Sequence, residues 1–173
     1  MPIVASDNSL KFTPCPPGTH QGVCVDVIDH GLVRQEFGGK AKQVHKVTLR
    51  WQVAEINAET GQRFEVQKRY TLSLNEKATL RKDLEAWRGS RFTKEELAGF
   101  DLERLLGANC QLAVVHSPSK TDPARIYANV QTIMALGKGM QRLEAEDYVR
   151  EQDRVNDEPA PAEPEIDDER VEF

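Results

Sequence analysis

Within the stretch Val44 to Ile56, apolar and polar residues alternate without a fault from Lys46 to Val53. Val47, Leu49, Trp51 and Val53 fall on one side, and Lys46, Thr48, Arg50 and Gln52 on the other. A period of two is that of a β-strand, whose successive side chains leave opposite faces. One apolar and one polar face point to an antiparallel sheet, because the strands of a buried parallel sheet are apolar on both sides. The chain therefore builds a sheet with one packed face, and Trp51, in phase with Leu49 and Val53, belongs to that face rather than to a surface platform.

Further strands flank this one. Val23, Val25 and Val27 alternate within His20 to Val33, and Phe64, Val66, Tyr70, Leu72 and Leu74 share a phase within Arg63 to Leu74. Lys68 interrupts that second set and predicts a bulge or a locally exposed stretch. Leu32 to Lys42, with Gly38-Gly39-Lys40 inside it, reads as a flexible cationic hairpin loop, and Asn57 to Gly61 as a turn. The period changes at Glu76 to Trp87, where Leu80, Leu84 and Trp87 are spaced for a helix, with Ser73 or Asn75 as cap and Gly89 as stop. Thr93-Lys94-Glu95-Glu96 has the form of a capping box, and Asp101 to Leu106 reads as another short helical piece. Strand character returns at Asn109 to His116 and, after the loop Ser117 to Pro123, at Arg125 to Leu136, before Gly137 and Gly139 end the regular part. Three strands, a helical insert and two strands are the order of a mainly β, five-stranded OB-fold barrel. A sandwich needs more strands, and a doubly wound sheet needs alternating helices.

Charge divides the chain. From Glu151 to Phe173 ten acids stand against two bases, a net of −8, with Pro159, Pro161 and Pro164 among them. The preceding 150 residues hold 21 bases and 18 acids, a net of +3. A segment so acidic and so poor in large apolar residues cannot offset the entropy of ordering. The expected organisation is an extension over residues 1–19, a barrel over 20–150, and a disordered acidic tail over 151–173.

An OB barrel commonly binds oligonucleotides on its second and third strands and two flanking loops. Lys46 and Arg50 on the second strand and Arg69 on the third are the expected phosphate contacts, with Arg34, Lys40 and Lys42 from the first hairpin and Lys120 and Arg125 from the loop before the last strand. Phe37 is the expected stacking ring, with Tyr70 and Tyr127 as further candidates; stacking tolerates any base. The same alternation of Lys, Thr, Arg and Gln also describes any solvated strand face.

Other chemistry finds little purchase. There is no phosphate-cradling Gly-rich loop, no His-Glu-x-x-His and no nucleophile elbow, and His20, His30, His45 and His116 are dispersed. Neither catalysis nor a cofactor is expected. Cys15, His20 and Cys24 do not have the spacing of a compact zinc site, so no metal is expected, and Cys24 and Cys110 read as small core residues. An odd number of cysteines, no visible secretory signal and no long apolar run make the cytoplasm the expected compartment. Self-association is left open.

The tail ends Glu165-Ile166-Asp167-Asp168-Glu169-Arg170-Val171-Glu172-Phe173. An aromatic terminus on an apolar-poor tail suits docking into a partner. Phe173 would fill a pocket, basic groups would clamp the terminal carboxylate, and Asp167, Asp168 and Glu169 would supply attraction. At these residues the chain resembles the single-stranded-DNA-binding proteins of bacteria and their phages, which join an OB-fold to an acidic, Phe-ended tail. The stretches Tyr70 to Lys77 and Tyr127 to Ile133 also resemble a phage-type branch. The bacterial tip has a run of Asp followed by Ile-Pro-Phe. Here Arg170 interrupts the acids and Val171-Glu172 precede Phe173, which points to a phage-encoded partner in the host cytoplasm. The resemblance implies coating of single-stranded DNA in replication, recombination or repair, recruitment of other proteins by the tail, and competition of the tail with DNA for the basic groove. The alternatives are a protein-binding adaptor on an OB-like barrel, a recombination mediator or annealing protein, and, last, a small nuclease.

Overall fold

The computed structural model describes residues 13–154. Five antiparallel strands, β1 (Gly18–Phe37), β2 (Lys40–Ile56), β3 (Arg63–Thr71), β4 (Asn109–Pro118) and β5 (Ile126–Ala135), form one sheet in the order β3-β2-β1-β4-β5. Helices α1 (Thr79–Arg88) and α2 (Lys94–Ala98) and a 3-10 turn (Leu102–Leu105) lie between β3 and β4. The two edge strands, β3 and β5, approach one another and α1 packs against both, but among the described residues no ladder joins them.

The stretch read as a flexible loop is instead the far end of a long hairpin. β1 and β2 stay paired out to Phe37 opposite Lys40, leaving only Gly38-Gly39 as the turn. Both glycines have positive φ, 55° and 83°. That geometry is open to glycine and matches the twist of the flanking strands, so pairing runs to the tip.

Strand β1 also departs from its apparent phase. Cys24 pairs with Trp51 in the core, but the register shifts before Asp26, which pairs with Arg50 on the opposite face. Val25 is thus the extra residue of a bulge. Val23, opposite Gln52, lies on the outer face, whereas Val27, opposite Leu49, returns to the core side. The three valines do not share one face. A second shift, before Gly31 (φ 67°), is where a glycine accommodates the bulge.

The core gathers Leu49, Trp51 and Val53 from β2, Leu112 and Val114 from β4, Ile133 from β5, and Leu80, Leu84 and Trp87 from α1. The rings of Trp51 and Trp87 lie 6.1 Å apart, tilted by 58°. The Trp87 indole N–H donates to the Asn109 carbonyl at 2.8 Å, whereas that of Trp51 has no partner among the described residues. Tyr70 is buried and donates to Asp83 of α1 at 2.7 Å, so it is not a stacking surface. Lys68 causes no bulge. It stays in register opposite Leu49, buried, with its ammonium 3.0 Å from the Asp83 carboxylate. Burying such a cation requires a partner, and α1 supplies it.

Helix α1 starts at Thr79 with no side-chain cap, because Ser73 and Asn75 are spent on turns preceding it: they accept from the N–H groups of Asn75 and Lys77. Gly89, at φ 74°, ends the helix. The capping box of α2 forms as expected, Thr93 Oγ1 accepting from the Glu96 N–H at 3.3 Å and Glu96 Oε1 from the Thr93 N–H at 3.1 Å. Cys15, Cys24 and Cys110 are buried free thiols. Burial pushes Cys15 up to about 11 and Cys24 up to about 12, and raises Cys110 further.

Candidate nucleic-acid interface

The outer face of β2 is the most cationic line on the sheet. No bulge falls on β2 between Lys40 and Gln52, so the even-numbered residues Lys40, Lys42, Lys46 and Arg50 share one face over about 34 Å, at about 3.4 Å per residue. Register adds neighbours on that face. Phe37 stands opposite Lys40 on β1, and Arg69 opposite Thr48 on β3. Six of the nine expected contacts therefore lie on one surface. Arg34, opposite Gln43, is on the other face of the hairpin arm. Lys120 and Arg125 are exposed in the β4–β5 loop, and β4 runs antiparallel beside the start of β1, at the opposite end of that strand from Phe37.

These residues differ in accessibility. Lys40 and Lys42 are exposed and Phe37 is 45% exposed at the hairpin tip. Lys46, expected in solvent, is 5% exposed, and its ammonium donates to Thr71 Oγ1 at 3.0 Å. Arg50 and Arg69 are half-buried. The Arg50 guanidinium donates twice to Gln67 Oε1, at 3.0 and 2.7 Å, and once to the Tyr148 hydroxyl at 3.0 Å. Tyr127 is half-buried at the start of β5.

A segment with no strand or helix periodicity covers part of this face. Residues 140–154 return across the sheet as a strap, held by side-chain amides that grip its main chain. Asn109 accepts from the Leu143 N–H at 2.7 Å and donates to the Leu143 carbonyl at 2.9 Å. Gln52 does the same to Glu146, at 2.9 and 2.7 Å. Arg63 donates to the Glu144 carbonyl at 2.6 Å and pairs with the Glu146 carboxylate at 2.9 Å, and Arg50 lies 3.5 Å from Glu151.

Beneath the C-terminal part of the strap lies Asp26 of β1, 1% exposed. Its carboxylate accepts from the Tyr148 hydroxyl at 2.7 Å, the Glu151 N–H at 2.9 Å and the Arg150 guanidinium at 3.3 Å. Burial alone would raise this carboxyl, but those three bonds outweigh it and hold it below the usual carboxylate range. Tyr148 is pushed up to about 12 by burial and by its bond to Asp26. Arg150 also grips Glu103 at 2.8 and 2.9 Å, tying the strap to the 3-10 turn. Neither Asp26 nor the strap is marked by sequence pattern. The nearest signal is an acid set among the valines of a strand.

Asp167, Asp168, Glu169 and Phe173 lie outside the described residues. Among the described residues no cluster of His, Cys, Asp and Glu is arranged to hold a metal ion, and no helix is long and apolar enough to cross a membrane. No family model matches the chain, and no curated protein matches it either.

Proposed function

We propose that the chain binds single-stranded DNA with little sequence preference along the outer face of β2, and that its acidic C-terminal segment recruits replication, recombination or repair proteins. The observation that carries this is the cation line Lys40, Lys42, Lys46 and Arg50, flanked by Arg69 and opened at its tip by Phe37. Cations repeated along one strand face suit a repeating phosphate backbone, and a ring beside them suits any base. The same reading takes the sheet as an OB-type barrel opened between β3 and β5, and the order β3-β2-β1-β4-β5 with α1 packed against both edge strands supports it.

The test is a binding curve of a labelled oligothymidine at two salt concentrations. With four or five phosphates neutralised, log K should fall with log salt at a slope of about −3, a loss of about sixtyfold between about 50 and 200 mM. No binding at the lower salt, with or without residues 155–173, ends the proposal. A second reading, an adaptor that binds acidic polypeptide, is favoured by one observation: the segment lying across the sheet is itself an acidic polypeptide, five acids against three bases over 140–154. Replacing Lys40 and Lys42 by Ala weakens DNA binding only if the face serves DNA.

A further inference from the structure

We infer that residues 140–154 are a resident occupant of the nucleic-acid track, displaced when an extended polyanion binds; this rests on the function proposed above. Three features of the strap point to displacement. First, few of its own apolar side chains are buried. Val149 is 56% exposed, and among its larger apolar side chains only Leu143 and Tyr148 turn partly inward, with Met140 at its start. A cover fixed for stability would be held chiefly by apolar burial, the dominant favourable term in folding.

Second, the bonds that hold it are ones a nucleotide strand can replace. Gln52 and Asn109 each give one donor and one acceptor to a main-chain N–H and C=O, the same pairing that base edges offer. Arg63 and Arg50 take the carboxylates of Glu146 and Glu151, where phosphates would be equally welcome. The four residues come from β4, β2 and β3, so the track crosses the sheet and meets the cation line at Arg50.

Third, the strap has a hinge. It leaves β5 through Gly137 and Gly139, the latter at φ 80°, in a stretch with no regular structure. Asp26 sets the threshold. It faces the track as an anion, and the Tyr148, Arg150 and Glu151 groups that satisfy it depart with the strap, leaving Arg50, its register partner on β2, as the adjacent counter-charge.

The test reads the strap directly. The amides of Leu143, Glu146 and Glu151 are bonded to Asn109, Gln52 and Asp26, so hydrogen exchange of the full chain should show them protected. Saturating oligothymidine should abolish that protection. Tyr148→Phe, which removes the bonds to Asp26 and Arg50, should tighten oligothymidine binding about threefold to tenfold, the scale of one or two hydrogen bonds. Protection retained in the DNA complex overturns displacement while leaving DNA binding intact. Binding by Tyr148→Phe but not by the native chain supports a strap that shuts the track. Binding by neither overturns both this inference and the function on which it rests.

Discussion

Replacing Asp26 by Asn loads the strap's anchor at a single atom. The carboxylate oxygens accept three bonds, two at Oδ2 from Tyr148 and Glu151 and one at Oδ1 from Arg150. An amide offers one oxygen and one NH2, so either orientation sets a donor of the strap against a donor of the sheet. Bonds to a charged group contribute about 1.5–3 kcal/mol, and an orphaned buried donor costs about 1–3 kcal/mol, which gives a loss of about 2–4 kcal/mol. The pH dependence follows from the lowered pKa of Asp26. A carboxylate more acidic in the folded than in the unfolded chain stabilises the fold above its unfolded pKa of about 3.9 and loses that contribution as pH falls through its folded value. Urea unfolding should therefore show the native chain ahead of Asp26→Asn in full at pH 7, and the gap should narrow by pH 3. Equal stabilities at pH 7, or a gap that stays as wide at pH 3, would refute the anchoring role.

Three further outcomes are expected. Asp83→Ala removes the carboxylate shared by Lys68 and Tyr70 and should cost about 3 kcal/mol in urea unfolding, part of it recovered by Lys68→Met in the same chain, since a buried cation then no longer faces the loss of that carboxylate. Lys40→Ala with Lys42→Ala, both exposed at the end of the hairpin, should leave the melting temperature unchanged and reduce the salt slope of oligothymidine binding by about 1.4, from about 0.7 per lost phosphate contact. With Cys15 and Cys24 raised to about 11 and 12 and all three thiols buried, none should react with a thiol reagent in the native protein at pH 8, and all three should react in denaturant.

The parts of this fold that can be read from sequence are those whose cause is local. The alternation through β2 sets its two faces because no bulge interrupts Lys40 to Gln52, and the Leu80, Leu84, Trp87 spacing sets the buried side of α1. Phase fails in β1, where a bulge at Val25 leaves no trace among alternating valines and turns Asp26 to the outer face. It misleads at Lys68 because the counter-charge comes from Asp83, fifteen residues on and in another element. The hairpin arm looks like a loop because its few apolar residues, Leu32, Val33 and Phe37, follow no alternation and polar residues fall on both faces. Backbone pairing needs no apolar side chain, and Gly38-Gly39 suffices to close it. The strap is illegible for a different reason. Gln52 and Asn109 grip main chain, which every residue possesses, so nothing in 140–154 advertises where it rests.

That same indifference to side chain bears on how the outer face can be both stable and receptive. Lys40, Lys42, Lys46 and Arg50 share one face of a single strand, and Arg69 adds a fifth cation from the next, a repulsive arrangement in the absence of a counter-charge. The strap's Glu151 relieves it at Arg50, and its Glu146 pairs with Arg63 of β3, whereas Lys40 and Lys42 stay open at the tip. Under the proposed function, a polyanion arriving at the free end would meet attraction before it meets the strap, and each phosphate set down toward Arg50 would compete with a carboxylate already there. Under that function, stability of the free protein and affinity for a DNA strand draw on the same cations, so a change that loosens the strap should lower the first while raising the second.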